Sequence, residues 1–137
     1  LGMSDDADVV FVFGGTNDYE FNTGLATMGN VFDTTFYGML NQLMCGLKQK
    51  YPDSQIIFIT PLRRNYDTRE NEKGRVLEQY ANAIVNMGAF YDIPVIDLFH
   101  EATLNFKGTR YLADGLHPTA SGQRKIANYL FNLLFVE

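Results

Sequence analysis

The sequence predicts a single α/β domain built around a parallel sheet, and three observations carry this prediction. Three short segments rich in β-branched residues alternate with three longer segments whose apolar residues recur at helical spacing. The first short segment is apolar without alternation, which is typical of a strand covered on both faces. The composition, 46% hydrophobic and 20% charged over 137 residues, predicts one packed core.

Three strands are predicted at residues 8–13, 55–60 and 93–97. Pro61 ends the second strand, and Pro94 lies near the start of the short third strand, where a missing backbone donor is tolerated. The first strand is the most apolar, yet it would have a neighbour on one edge only, and an open apolar edge favours aggregation. We therefore expect a further strand beside it, from a preceding segment of roughly 50–70 residues or from a second copy of the chain.

Helices are predicted between and after the strands, at residues 33–50, 75–91 and 120–135. Asp33 or Thr34 can accept from the free backbone N–H groups of the first helix, and Thr119 can cap the third. This alternation of strands and helices predicts right-handed crossovers between the parallel strands.

Charge and cysteine content argue against several classes of function. A net charge of −5 with scattered basic residues argues against a nucleic-acid-binding face or a basic membrane-binding face. Cys45 is the only cysteine, so no disulfide can form within the chain, which fits a reducing, cytoplasmic compartment. No apolar run approaches the roughly 18 residues needed to span a bilayer. The two histidines, His100 and His117, form no H-x-x-x-H pair, so no metal site is expected.

A glycine-rich block, Gly14-Gly15-Thr16-Asn17-Asp18, directly follows the first predicted strand. Ligands of parallel α/β sheets bind beyond the carboxyl ends of the strands, and glycines there allow a sharp turn and a close approach. Asn17 would then be a neutral donor at the rim of the sheet, which suits the stabilisation of an oxyanion. A purely structural turn is an alternative for the same residue types. A phosphate-binding loop is a third, although neither glycine-rich nucleotide motif is present.

A second block, Asp114-Gly115-Leu116-His117-Pro118, precedes the third predicted helix. The three-residue separation allows a tight loop to bring the Asp114 carboxylate to Nδ1 of His117, which leaves Nε2 to act as a general base. The alternatives are a turn beginning at Asp114 with a surface histidine, or a metal ligand.

Together, the two blocks resemble the motifs of the SGNH hydrolases, the GDSL-type serine esterases. The segment Gly15-Thr16-Asn17-Asp18 matches their G-x-N-D motif, and Asp114-x-x-His117-Pro118 matches their D-x-x-H-P motif near the C-terminus. The resemblance covers essentially all of residues 1–137, which would form one partial domain of this type. It implies a flavodoxin-like, three-layer α/β sandwich. It also implies hydrolysis of a small-molecule ester through an acyl-enzyme intermediate, without a metal or organic cofactor.

The resemblance implies roles for individual residues. Asn17 would donate its side-chain amide to the oxyanion, His117 would act as general base and then general acid, and Asp114 would orient His117. Gly15 would serve the turn geometry, and Asp18 would support the loop around Asn17.

Two further features near the first strand are open to interpretation. Tyr19 and Phe21, together with Phe32, are interpreted as lining an acyl or alcohol pocket, and packing on their own scaffold is the alternative. Residues 63–72 are highly polar, and a solvated loop is the preferred interpretation over a mobile rim of the site.

The sequence departs from the family pattern at the nucleophile. It contains no Gly-Asp-Ser, and its three serines are Ser4, Ser54 and Ser121, none of which follows a predicted strand. Cys45 is expected to be a core residue within a helix. We therefore expect the nucleophilic serine to lie outside this chain, in the segment that would pair with the first strand, and the chain alone to be inactive. The alternatives are an inactive remnant or binding module of the same fold, and a flavodoxin-like cofactor binder.

Overall fold

The computed structural model describes residues 2–30 and 34–136 and places three strands and four α-helices within them. The strands are β1 (Val9–Phe13), β2 (Gln55–Ile59) and β3 (Val95–Ile96). The helices are α1 (Thr16–Glu20), α2 (Phe36–Lys50), α3 (Leu77–Tyr91) and α4 (Ala120–Phe135), and a 3₁₀ turn spans Ala102–Leu104. The predicted α/β architecture is confirmed, and α1 is an addition because the glycine-rich block was expected to be a loop.

The three strands form one parallel sheet in the order β1-β2-β3. The register pairs Phe13 with Ile59 and Ile59 with Ile96, so the carboxyl ends of all three strands lie at the same edge. The central strand β2 is buried on both faces, because Ile56 and Phe58 face the core beneath α2 and α3 while Ile57 and Ile59 face the core beneath α4. The sheet therefore separates two helical layers, and its carboxyl edge is where the connecting loops meet.

Strand β1 is covered on one face only. Val10 is buried against the α2 and α3 side, but Phe11 is 49% exposed and Phe13 is 53% exposed. The prediction that both faces of this strand are covered is therefore wrong for the described residues, because the apolar contacts of α4 centre on β2 and β3 and do not bury β1. The outer edge of β1 also has no strand partner in the part of the chain that the structure describes. The further strand expected beside it stays a prediction.

Two helix caps were predicted, and one is displaced. Thr119 caps α4, since its hydroxyl accepts from the backbone N–H of Gly122 at 3.2 Å. Helix α2 begins later than predicted and is capped by Thr35, whose hydroxyl accepts from Gly38 at 3.3 Å, rather than by Thr34. Asp33, the other predicted cap, lies outside the described residues. None of the helices in residues 2–30 and 34–136 has the length and apolar character to cross a membrane, and the compartment stays a prediction.

Gly88 lies at a close approach between α3 and the start of β3. A Cβ added at Gly88 would meet the Val95 side chain and would lie 2.9 Å from the Ile93 carbonyl oxygen. Gly46, on the exposed face of α2, has no atom within 4 Å of such a Cβ. The packing of α3 on β3 therefore requires glycine at position 88, whereas position 46 has room for a larger residue.

We expect Gly88→Ala to lower the free energy of unfolding by about 1–3 kcal/mol, because the methyl group overpacks the contact with Val95. Gly46→Ala is the matched control. It should raise the free energy of unfolding by roughly 0.5–1 kcal/mol through helix propensity alone. Urea denaturation of the two variants measures both values. A Gly88→Ala protein as stable as wild type would show that α3 and β3 do not pack this closely.

Candidate active site

A cleft of about 280 Å³ opens at the carboxyl edge of the sheet, where three loops meet. The polar groups in its lining come from the block after β1, the segment after β2 and the loop before α4, and they are Thr16, Asn17, Arg64 and His117. Its apolar walls are Phe13, Pro61, Leu62, Leu116 and Pro118. The cleft brings together Asn17 and His117, which are far apart in the sequence.

Gly15 makes the turn that directs the chain from β1 into α1. Its φ is 107°, a left-handed value that side chains rarely adopt, and a Cβ would lie 3.3 Å from Cδ1 of Ile84. The turn places Asn17 in the first turn of α1, where its carbonyl oxygen accepts from the backbone N–H of Phe21 at 2.8 Å. The Asn17 side chain is exposed and makes no hydrogen bond with the described residues. Its amide is therefore free to donate to a ligand in the cleft.

Asp114 and His117 form a direct pair. Nδ1 of His117 lies 2.7 Å from Oδ2 of Asp114, and Oδ1 accepts from the backbone N–H groups of His117 at 2.8 Å and Leu116 at 3.0 Å. The His117 backbone N–H, followed by its ring and then the Leu116 N–H, holds the pKa of the Asp114 carboxyl well below its usual range. An ionised carboxylate can only accept, so the proton between the two groups belongs to Nδ1. Nε2 has no hydrogen-bond partner among residues 2–30 and 34–136, so in the neutral imidazole it offers the lone pair that a general base needs.

The other histidine has the same spacing from an aspartate but a different environment. Nδ1 of His100 lies 2.7 Å from Oδ2 of Asp97, and Nε2 lies 3.1 Å from Oε1 of Glu78. Burial acts to lower the pKa of His100, but the hydrogen bonds to Asp97 and Glu78 outweigh it and raise that pKa above its ordinary value. Because both ring nitrogens are engaged and His100 does not line the cleft, His117 is the better candidate for a base. No group of three or more metal-ligating side chains occurs within the described ranges.

Asp18 lies beside the cleft and not in it. It lines a second, largely apolar cleft with Phe36, Met39 and Leu43, on the other side of the turn at Gly14. Burial raises the pKa of the Asp18 carboxyl, partly opposed by hydrogen bonds that include one to Thr23. Its support of the Asn17 segment stays a prediction.

The two aromatic residues predicted to line a pocket are placed elsewhere. Tyr19 is 1% exposed and belongs to the core beneath α2 and α3, where its hydroxyl donates to the carbonyl oxygens of Tyr66 at 3.0 Å and Arg69 at 2.7 Å. Tyr19 therefore packs on its own scaffold and does not line this cleft, because α1 turns the side chain inward, and its role at a substrate pocket stays a prediction. Phe21 is 77% exposed and does not line the cleft. Phe32 lies outside the described residues.

The polar segment after β2 is only partly the solvated loop that was expected, because half of residues 63–72 are exposed but two charged side chains are buried. Arg64 is 6% exposed, and Asp67 is 1% exposed between Nε of Arg63 at 2.8 Å and Nζ of Lys107 at 2.9 Å. Burial acts to raise the pKa of Asp67, but the two cations outweigh it and lower that pKa below its ordinary value. Arg64 reaches the cleft, which the sequence did not indicate. The only signal was a doublet of arginines, Arg63-Arg64, a few residues after a strand.

None of the three serines, all of them described, lines the cleft. Ser54 lies at the amino end of β2, where its hydroxyl donates to the Ala7 carbonyl oxygen at 2.6 Å. Ser4 is exposed beside Asp6, and Ser121 is exposed in the first turn of α4. Cys45 lies within α2, away from the cleft. Thr16 brings a hydroxyl to the cleft, but that hydroxyl accepts a hydrogen bond from Arg64 at 3.2 Å.

Comparison with known proteins points to one family. A family model of GDSL-like lipases and acylhydrolases matches residues 3–125. A crystal structure of a Lactobacillus plantarum protein is similar at 32% identity with a TM-score of 0.88, covering 96% of this chain and 68% of that one. A possible lipase from Chitinophaga pinensis has 24% identity and a TM-score of 0.74, over 95% of this chain and 74% of that one.

A variant of an acetyl-xylooligosaccharide esterase from Geobacillus has the same fold, with 18% identity and a TM-score of 0.66 over 95% of this chain and 60% of that one. A search of curated proteins found no match.

We expect the ion pairs of His100 to stabilise the protein below neutral pH. The native pKa of His100 is raised above the ordinary value of 6.5, so its contribution is complete below that value and is lost as the pH rises through the native pKa. Urea denaturation at about pH 5.5 and about pH 8.5 should show a larger loss of stability for His100→Gln at the lower pH. Glu78→Gln, which removes one carboxylate, should reduce the difference between the two pH values. An equal loss at both would contradict the ion pairs.

Proposed function

Because the chain belongs to the GDSL-like lipase/acylhydrolase family, we propose that it supplies the oxyanion donor and the Asp–His pair of an ester hydrolase. One observation carries the proposal: the free amide of Asn17 and the Asp114-bound His117 line the same cleft. The family assignment supports hydrolase chemistry, and the arrangement of these three residues supports an acyl-enzyme route within it.

The proposed reaction begins with attack of a serine Oγ on the ester carbonyl carbon. Nε2 of His117 takes the serine proton as the new C–O bond forms, and the Asn17 amide donates to the oxyanion of the tetrahedral intermediate. Asp114 stabilises the imidazolium that results. Collapse of the intermediate breaks the bond to the alcohol, which leaves with the proton from His117. Water then hydrolyses the acyl-enzyme, again with His117 as base.

We propose that the nucleophilic serine lies outside these 137 residues. The positions of Ser4, Ser54 and Ser121 support this, since none of them lines the cleft. The exposed Phe11 and Phe13 and the unpaired edge of β1 also support an additional segment, either a preceding part of the protein or a second copy of the chain. The chain spans 68% of the length of the similar protein from Lactobacillus plantarum, which leaves room for such a segment.

The substrate we propose is an ester with a small or medium acyl group. The walls of the cleft are mainly apolar, and its one buried cation, Arg64, is already paired with Glu20. An uncharged acyl group suits this lining better than a charged one.

The second candidate function is a binding module of the same fold without catalytic activity. It is favoured by the same absence of a serine or cysteine from the cleft lining. The two candidates differ for a protein that includes a Gly-Asp-Ser segment. The ester hydrolase should cleave an ester, and the binding module should bind it without cleavage.

In a protein that includes the nucleophile segment, we expect His117→Ala to lower kcat for p-nitrophenyl acetate by at least about 10³-fold, because the general base is lost. Asn17→Ala should lower kcat by roughly 10²–10³-fold, the usual effect of removing one oxyanion donor. His100→Ala is the matched control, because His100 has the same spacing from an aspartate and lies outside the cleft. It should leave kcat unchanged. Full activity in His117→Ala would rule out this mechanism.

We expect the 137-residue chain alone to hydrolyse no ester and to react with no fluorophosphonate probe. Addition of a preceding segment that carries Gly-Asp-Ser should restore both properties, and both should then depend on His117. If the chain alone reacts and loses that reaction in Ser121→Ala, the nucleophile lies within the chain. If the extended protein binds an ester without hydrolysing it, the binding module is the correct function.

A further inference from the structure

Two neighbouring residues, Arg64 and Asn65, contact the two segments that carry Asn17 and His117. Asn17 and His117 lie one hundred residues apart in the sequence and reach the cleft from different elements. The Cα atoms of Arg64 and Asn65 are about 3.8 Å apart across one trans peptide, so the contacts of the two residues start from one short piece of backbone. Arg64 contacts the segment that carries Asn17, and Asn65 contacts the segment that carries His117.

Arg64 holds α1, the helix that carries Asn17. Its guanidinium donates to Oγ1 of Thr16 at 3.2 Å and to Oε2 of Glu20 at 2.5 Å, and its central carbon lies 5.5 Å from the Tyr19 ring centroid. Thr16 and Glu20 are the two ends of α1, one helical turn apart. A five-residue helix is not stable by itself, so the planar guanidinium, together with the buried Tyr19 side chain, constrains where α1 places Asn17.

Asn65 holds the loop that carries His117. Its backbone N–H donates to the carbonyl oxygen of Gly115 at 2.9 Å, and its side-chain Oδ1 accepts from the backbone N–H of Gly108 at 2.7 Å. Gly115 has a φ of 85°, and a Cβ there would lie 2.8 Å from Nδ2 of Asn65. The loop between Asp114 and His117 therefore rests directly on Asn65.

The segment that contains both residues is itself fixed to the body of the fold. The Asp67 carboxylate is paired with Arg63 and Lys107, and the Asp67 carbonyl oxygen accepts from the backbone N–H of Leu77 at the start of α3, at 3.1 Å. The Tyr19 hydroxyl binds the carbonyl oxygen of Tyr66 from the other side. Because these contacts hold the segment in place, it can fix the positions of α1 and of the loop that carries His117.

We propose that Arg64 and Asn65 are positioning residues that set the distance between the Asn17 amide and the His117 imidazole. The inference rests on the proposed function, in which the two groups act on one substrate carbonyl. Neither Arg64 nor Asn65 takes part in bond making, and each acts through the segment that it holds. Errors of about 1 Å in such an arrangement can lower the rate of reaction by about a hundred-fold, so the effect should be seen in kcat.

The kinetic test is a double-mutant cycle in a protein that includes the nucleophile segment. Arg64→Lys keeps the charge but cannot bind Thr16 and Glu20 through one planar group, and we expect kcat to fall by about 10–100-fold while KM changes by less than about three-fold. In the Asn17→Ala background, the same substitution should lower kcat by less than about three-fold, because its effect passes through Asn17. An equal fall in both backgrounds would overturn the proposal.

Amide hydrogen exchange of the 137-residue chain tests the same inference without requiring activity. Arg64→Lys should speed exchange of the Tyr19 and Phe21 amides, whose acceptors lie at Gly15 and Asn17, by more than about ten-fold. Asn65→Ala removes the side chain on which Gly115 rests but keeps the backbone hydrogen bond to Gly115, so it should speed exchange of the Leu116 and His117 amides by a smaller factor and leave those of α1 unchanged.

Arg69→Lys is the control, because Arg69 belongs to the same segment but is exposed over the Tyr66 ring, and it should change neither pair. If the exchange effects appear in an extended protein that hydrolyses no ester, the positioning stands and the proposed reaction fails. If the extended protein is active but neither local effect appears, the positioning is wrong.

Discussion

The buried carboxylate of Asp67 is the interaction on which the arrangement of the cleft depends. It lies between Arg63 and Lys107 with almost no exposure to solvent, so removal of both cations would leave a buried charge without compensation. A loss of that kind costs roughly 3–5 kcal/mol. The pairing holds the segment after β2 against the fold, and that segment contacts both α1 and the loop at Gly115. A structural ion pair thus controls a site in which it takes no part.

The site itself combines one strained turn and one local hydrogen-bonded pair. Gly15 brings Asn17 to the cleft with its amide free, while the Asp114 carboxylate leaves Nε2 of His117 without a partner in the described chain. The exposure of Asp114 and His117 to water weakens the electrostatic advantage that such groups have in a closed site. The additional segment that we propose would cover β1 and bring the serine. The same segment would also shield Asp114 and His117 from water.

Much of the fold was accessible from the sequence, whereas the surroundings of the site were not. The order of strands and helices, the cap at Thr119 and the parallel sheet follow from patterns within each segment. The covering of β1 could not be predicted, because an apolar strand does not reveal whether a helix lies over each of its faces. The burial of Tyr19 could not be predicted for a related reason: an aromatic residue next to a polar motif suits a pocket or a core equally well until the direction of α1 is known.

The sequence by itself determined the elements and the local pair of Asp114 and His117, because three residues of separation and the turn at Gly115 are enough to bring a carboxylate to an imidazole. Only the tertiary structure decided that Asn17 shares a cleft with His117, that Arg64 is buried against Glu20, and that His100 has no free nitrogen. Backbone periodicity and short-range spacing depend only on residues close together in the sequence, so they can be recognised without a structure. The environment of a polar side chain depends on partners that only the packing of distant segments brings within hydrogen-bond distance.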